Sequence, residues 1–314
     1  MQTNPGDDKM KLQKNKKVGA RCSWIPTKKD WSAWILILPA ILCIYLFVLR
    51  PQIMGTYWSF FDMRGYKVES FVGLENYKTV IRDTQFFKTL WNTCQYVLWS
   101  LVIGFCLPII VAVILNELVH MRNSIRFCVY FPAVLPGVAV ALLWYLMYYP
   151  DQGGLLNMIG SWFGMEPYVW LQDSRWTIAF IVISMTWNGC GSTAIYYFAS
   201  LQGVNRELYE AAIIDGAGFL RRFFTVTLPH ISGVALLFLV RQIIGVFSIM
   251  EQPMQMTDGG PNGASNTLGL LAYKYGFVNI QPQYAMAVGV IMFLILMVFT
   301  IFYFRLNKIV ESKY

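Results

Sequence analysis

The sequence predicts an all-α polytopic membrane protein with six transmembrane helices. Three observations carry this. Of the 314 residues, 56% are hydrophobic and 13% charged, with a mean hydropathy of +0.48, whereas a soluble domain carries about 25% charged residues. Six apolar runs approach the ~20 residues that a helix needs to cross a hydrocarbon core. Lys and Arg collect in the segments that alternate crossings place on one side of a membrane. The surplus apolar surface needs a solvent other than water. That excludes a soluble enzyme, a disordered chain and a nucleic-acid binder, and the net charge of +8 finds its explanation in topology.

The expected spans are Ala33–Leu49, with Pro39 inside it, Tyr96–Leu115, Val129–Tyr149 with Pro132 and Pro136, Ile178–Leu201, Ile231–Met250 and Ala285–Phe304. Prolines within spans mark kinks whose freed carbonyls find partners on neighbouring helices or water. The second and third spans are separated only by 116–127, which implies a tight helical hairpin. Residues 1–30 hold Lys9, Lys11, Lys14, Lys16, Lys17, Arg21, Lys28 and Lys29 and read as a basic tail ahead of an uncleaved first span. With the N-terminus inside, segments 1–32, 116–127, 201–230 and 305–314 hold 16 of the 25 Lys and Arg, and the outer segments hold eight. Arg122, Arg126, Arg221, Arg222, Arg305 and Lys308 all fall inside. Trp31, Trp34, Trp91, Trp144, Tyr148, Tyr149 and Trp176 fall near the interfaces, where amphipathic rings settle. The domain division is then 1–30 as tail and 31–314 as the membrane body.

The cysteines at 22, 43, 94, 106, 128 and 190 form no CxxC pair, and His120 and His230 are far apart. They read as buried free thiols, with neither a metal site nor a disulfide.

The loop 201–230 is long and patterned for a connector. Glu207–Ala212 is strongly helix-forming, with Leu208, Ala211 and Ala212 on one face. Asp215-Gly216-Ala217-Gly218 breaks it, because glycine admits positive φ. Leu220–Val226 reads as a second short amphipathic piece, and Pro229 opens the fifth span.

Glu210-Ala211-Ala212, followed by Gly216 and then Val226-x-Leu228-Pro229, resembles the EAA loop of binding-protein-dependent ABC importer permeases. Phe71-Val72-Gly73-Leu74-Glu75-Asn76-Tyr77 resembles the FxGLxNY stretch of sugar permeases, and Asp258-Gly259-Gly260-Pro261 their GGP loop. The Asp215–Gly218 wording is similar to the F-type maltose permease subunit and the chain also resembles A-type glycerol-phosphate permease subunits. The departures are mild: Val226 replaces the usual Ile, and Gly233 stands where many relatives carry proline. Only the basic tail falls outside the match.

The resemblance implies a type I ABC importer permease fold. It implies that 201–230 is the coupling element of a cytosolic ATPase, through Glu210, Ala211, Ala212, Asp215, Gly216, Leu228 and Pro229. The implied partners are a second, G-type permease subunit, two copies of the ATPase, an extracellular solute-binding protein, a carbohydrate and the bilayer of a bacterial inner membrane, with both termini cytoplasmic. ATP and magnesium belong to the ATPase. This chain binds no cofactor and is no enzyme: it has no Gly-Lys dipeptide and hence no GxxxxGK(S/T) phosphate loop.

Polar residues inside a span face protein or water rather than lipid. The fourth span carries Thr186, Asn188, Gly189, Ser192 and Thr193, and the fifth Arg241, Gln242 and Ser248, with Glu251 at its outer end. By the resemblance, Asn188, Gly189 and Ser192, with Gln242, Gly245, Val246 and Ile249, correspond to sugar-contacting positions. Packing between helices is the competing use of such residues. Arg241 stands about ten residues from each end of its span, where snorkelling is awkward. It pairs with Glu251, with an acid on the partner subunit, or with an anionic substrate such as a uronide or sugar phosphate. An ion-coupled secondary transporter is the alternative function. It calls for intramembrane acids or an inverted repeat, and no Asp or Glu occupies the middle of a span.

Overall fold

The computed structural model describes residues 31–117 and 122–311, with side chains placed at 34–117 and 124–305. The basic tail, Cys22, His120 and the side chains of Trp31, Arg122 and Lys308 lie outside the described residues. Contacts divide the chain into two units, Met1–Met54 and Gly55–Tyr314.

A helix begins at Trp31 in the first unit, and the span Trp34–Trp58 ends within the second. Its apolar side chains are exposed throughout Trp34–Leu49, as a lipid-facing helix requires. The helix passes the expected end at Leu49 by widening into a π-helical turn at Tyr45–Leu49. Pro51 explains the turn: its ring would clash with the carbonyl of Phe47, four residues back, and it has no N–H to offer. The same spacing recurs in the second unit. The π segments Ser100–Phe105 and Phe223–Thr227 contain Gly104 and Thr225, four residues before Pro108 and Pro229. At these three prolines the helix widens without ending, whereas Pro39 sits inside the α-helix Trp31–Ile44 with no such turn.

Four further helices are long and apolar enough to cross a membrane: Thr84–Glu117, Thr177–Leu201, Phe219–Phe247 and Pro282–Arg305. The remaining crossing is a broken pair, Ser124–Val134 and Gly137–Met147, bent by 100°. The expected single run Val129–Tyr149 fails at Pro136, which adopts φ −58° and ψ 139°, while the residue before a proline is driven from the helical region. The fifth span also differs from expectation. Leu220–Val226 is no separate piece; one helix runs from Phe219 to Phe247 with Pro229 inside it.

Three apolar clusters hold the second unit together. One, around Leu115, Tyr197, Leu201 and Ile231, joins the second, fourth and fifth spans at the end that carries Val204. A second, around Tyr96, Ile181, Val182 and Val246, joins the same spans to Ala141 and Tyr148 of the broken pair. A third packs Ala287, Val288 and Met292 of the sixth span against Phe86, Phe247 and Leu271. Tyr148 is buried in that second cluster, its ring against Trp144, Trp170 and Phe180. It is a core aromatic, whereas Trp91 and Trp176 are exposed as interface residues should be. Among the described cysteines only Cys190 is buried; Cys43, Cys106 and Cys128 are free thiols on exposed helix faces.

A short antiparallel hairpin, β1 (Phe61–Arg64) and β2 (Lys67–Phe71), stands outside the all-helical expectation. Gly65, at φ +61°, makes its two-residue turn. The FxGLxNY residues lock this hairpin in place. Buried Asn76 donates to the carbonyls of Ser59 and Phe61 at 2.9 and 2.8 Å, and the Tyr77 hydroxyl meets that of Ser59.

Candidate translocation cavity and coupling loop

The second, fourth and fifth spans each turn one stripe toward a common cavity of about 250 Å³. The second span gives Ser100 and Gly104, one turn apart. The fourth gives Thr186, Gly189, Cys190 and Thr193, at the 3–4 residue spacing of a single face, with Ser192 beside them. The fifth gives Phe238, Arg241, Gln242 and Gly245 at the same spacing, with Val246. Gly104 makes room here for polar side chains: a Cβ on it would lie 2.7 Å from Gln242 Nε2 and 3.2 Å from Thr186 Oγ1, so the Gln242 amide would have to move. The π-helical turn around Gly104 thus opens the wall where the amide of Gln242 sits.

Of the residues expected along the substrate path, the cavity unites Gly189, Ser192, Arg241, Gln242, Gly245 and Val246. Asn188 and Ile249 are not part of its wall. Asn188 donates to the Pro132 carbonyl at 2.6 Å. That carbonyl would bond the N–H of residue 136 in a continuous helix, and Pro136 has none, so Asn188 takes that place beside the 3.2 Å bond from the Leu135 N–H. Ile249 is buried, and its carbonyl accepts from Thr267 Oγ1 at 2.6 Å, which ties it to the loop beyond the fifth span. Ser100, Gly104, Met185 and Phe238 were not read from the sequence as lining residues. A signal existed for the first two. Asn92, Tyr96, Ser100 and Gly104 recur every four residues, which marks one polar face on an otherwise apolar helix.

Arg241 is the one charged group in the wall. Its guanidinium carbon lies 5.9 Å from the centre of the Phe238 ring. No carboxylate lies within 4.0 Å of it among the described residues. Glu251 faces elsewhere, its carboxylate oxygens 3.0 Å from where a Cβ on Gly137 would stand, at the first turn of the Gly137–Met147 helix, a position that favours an anion. An arginine at mid-membrane costs about 2.5–3.5 kcal/mol on insertion scales. A ring contact returns about 0.5–1 kcal/mol at exposed sites. The water-accessible cavity must therefore solvate the rest.

At the opposite end of the fifth span lies the loop 201–230. Helix Arg206–Ile214 starts at Asn205, whose side chain accepts from the Glu207 N–H at 3.1 Å, and Glu207 occupies the favourable first turn. Its end is a Schellman motif. Gly216 N–H bonds the Ile213 carbonyl and Ala217 N–H the Ala212 carbonyl, both at 2.9 Å, with Gly216 at φ +74°. Glu210, Ala211, Asp215 and Pro229 are exposed, while Ala212 and Leu228 are half-buried. Leu208, Ile213, Ile214, Phe219 and Leu220 expose apolar surface around them. Tyr209 fixes the element to the base of the fifth span through a 3.0 Å bond between its hydroxyl and that of Thr227.

The Asp258–Pro261 loop is held by the second span. Asn92 donates to the carbonyls of Gly263 and Asn266 at 2.8 and 3.1 Å, and the Tyr96 hydroxyl donates to the Ser265 backbone carbonyl at 3.1 Å. Asp258 and Gly259 both adopt positive φ, +47° and +85°. Outside the spans, the Asp173 carboxyl is held below the usual carboxylate range by the Tyr168 hydroxyl at 2.6 Å and by the Arg175 backbone.

Comparison with known proteins agrees with the helical membrane fold. The family described as "Binding-protein-dependent transport system inner membrane component" matches residues 90–314. The trehalose/maltose permease protein MalF of Thermococcus litoralis is 31% identical over 278 residues, covering 88% of this chain and 93% of that protein. The arabinooligosaccharide permease protein AraP of Bacillus subtilis is 29% identical, covering 89% of each. The sn-glycerol-3-phosphate permease protein UgpA of Escherichia coli is 29% identical, covering 91% and 96%. A solved bacterial alginate ABC transporter, in complex with its pentasaccharide-bound periplasmic protein, shares the fold with a TM-score of 0.80 at 24% identity, over 90% of this chain and 96% of that one. The chain belongs to the family of inner-membrane components of binding-protein-dependent transport systems.

Proposed function

We propose that this chain is one of two permease subunits of an ATP-driven importer, and that it passes a sugar or oligosaccharide delivered by an extracellular binding protein. The observation that carries the reading is the unbroken helix Phe219–Phe247. It begins beside the exposed Arg206–Ile214 element and reaches the cavity wall at Phe238–Val246. From Phe219 to Arg241 it spans about 33 Å at 1.5 Å per residue. A displacement of the loop by a cytosolic ATPase is thereby transmitted along a rod to the cavity, which is the rocking that alternating access demands. ATP and magnesium are used by that ATPase, present in two copies. Both termini then face the cytoplasm, and the Asp258–Pro261 loop faces the binding protein. The hydroxyls and amide of Ser100, Thr186, Ser192, Thr193 and Gln242, with the Phe238 ring, are the mix of polar and apolar partners that a sugar uses. The relatives named for arabinooligosaccharides, trehalose/maltose and sn-glycerol-3-phosphate support a polyol cargo and leave its charge open.

Co-purification from the native membrane tests this. The intact chain should bring an ATPase and a second membrane subunit. The double variant Glu210→Arg, Gly216→Pro should keep the membrane subunit and lose the ATPase. An intact chain that purifies alone and stably removes the reading and favours a self-contained transporter.

A further inference from the structure

We infer that the cargo is anionic and that its acid group pairs with Arg241; this rests on the importer reading above. The wall of the cavity holds hydrogen-bond donors and one full positive charge, with no carboxylate among its residues. Among the described residues, none of the acids near the outer ends of these spans pairs with the guanidinium. Glu251 lies at the first turn of the Gly137–Met147 helix, Asp258 pairs with Lys274 at 3.0 Å, Asp173 with Arg175 at 3.3 Å, and Asp83 accepts from Tyr275. While the cavity is open, water solvates the guanidinium. Alternating access closes it to both sides, and water leaves with closure. A neutral sugar would then strand a desolvated guanidinium, the least favourable arrangement for a buried charge. A carboxylate, phosphate or sulfonate on the sugar supplies the missing charge, and guanidinium takes such groups in bidentate fashion. Phe238 offers the sugar ring an apolar surface beside that contact. Arg241 therefore selects an acidic saccharide, and the coupling of its own desolvation to cargo occupancy keeps an empty cavity from closing.

The test uses native cells lacking this chain, complemented with the full-length wild type, Arg241→Gln or Arg241→Lys, at matched membrane levels. The probe is a mixed digest of neutral and acidic polysaccharides, supplemented with sugar phosphates and sugar sulfonates and split by anion exchange into neutral and acidic fractions. Permease-dependent depletion is measured for each fraction. The expected result is depletion of the acidic fraction by wild type, a loss of at least tenfold in Arg241→Gln, and partial retention in Arg241→Lys. Depletion of the neutral fraction alone overturns the inference and leaves the sugar-importer reading intact. Equal loss of both fractions in Arg241→Gln also overturns it, and assigns Arg241 to a structural pair with the partner subunit. Depletion of neither fraction by wild type removes the sugar reading itself, and the inference with it.

Discussion

Gly191 sits where the fourth span meets the helix Arg122–Val134, and a single methyl group there should be enough to part them. A Cβ on Gly191 would lie 2.0 Å from the Val129 carbonyl oxygen, 2.7 Å from its carbon and 2.9 Å from the Tyr130 Cα. All three are backbone atoms, so no side chain can swing aside. Restoring ordinary contact near 3.4 Å requires a shift of about 1.4 Å between the two helices. Overpacking of this kind costs about 1–3 kcal/mol. The bond from Asn188 to the Pro132 carbonyl, 2.6 Å long and one turn away, would stretch out of range, leaving that carbonyl only the 3.2 Å bond from the Leu135 N–H, and the lost hydrogen bond adds about 0.5–1.5 kcal/mol. At about 2–4 °C per kcal/mol for a body of this size, Gly191→Ala should lower the Tm by about 3–18 °C in detergent. Cys190, buried beside it, gives a second readout: its thiol should label faster at temperatures below the transition. Gly189→Ala is the control, since a Cβ there meets nothing within 4 Å and the Tm should stay within about 1 °C, on the scale of a surface change. A Gly191→Ala chain with wild-type Tm and a protected Cys190 would refute the close approach of these helices.

Gly216→Val should cost about 1–2 kcal/mol at the Schellman turn, because a branched side chain resists the left-handed region, whereas Gly216→Asn should be milder. Nothing lies within 4 Å of a Cβ there, so the backbone strain is the whole cost: the Tm should fall by about 2–8 °C for Gly216→Val, and ATPase co-purification should fall with it. Asn92→Ala removes the donor that the Gly263 and Asn266 carbonyls share, leaving Gly263 only the 3.4 Å bond from the Asn266 N–H, at about 1–3 kcal/mol in all; hydrogen exchange at 259–267 should accelerate while 201–230 is unchanged. Asn188→Ala should lower thermal stability without altering cargo preference, because its amide serves the Pro136 break and not the cavity. Asp173, whose pKa is lowered below 3.8 by Tyr168 first and then by Arg175, should make the 168–175 corner insensitive to pH between 5 and 8. Its contribution is present above the unfolded pKa and is lost as pH falls through the folded one, so proteolysis at this corner should rise only under strong acid.

By itself the sequence determined the class, the apolar spans and the helix and glycine turn of the loop 201–230, because each is a local property. Hydrophobic length is counted along the chain, so five spans and the position of the sixth were legible. Gly216 after a run of helix formers demanded a left-handed terminus, and the Schellman motif is what such a terminus becomes. The hairpin at 61–71 was missed although Arg64-Gly65-Tyr66-Lys67 carries a turn signal, since it sits beside far stronger apolar runs. What only the tertiary structure decided were matters of which face meets what. Asn188 and Ser192 share a helix face by spacing, yet one serves the Pro132 carbonyl and the other the cavity, because the neighbouring helix breaks at Pro136. Ser100 and Gly104 became part of the wall only when the second span, widened ahead of Pro108, was laid against Gln242. And the isolation of Arg241 from every described carboxylate is a fact about distances across helices: periodicity places a charge on a face, but only packing decides whether an opposite charge reaches it.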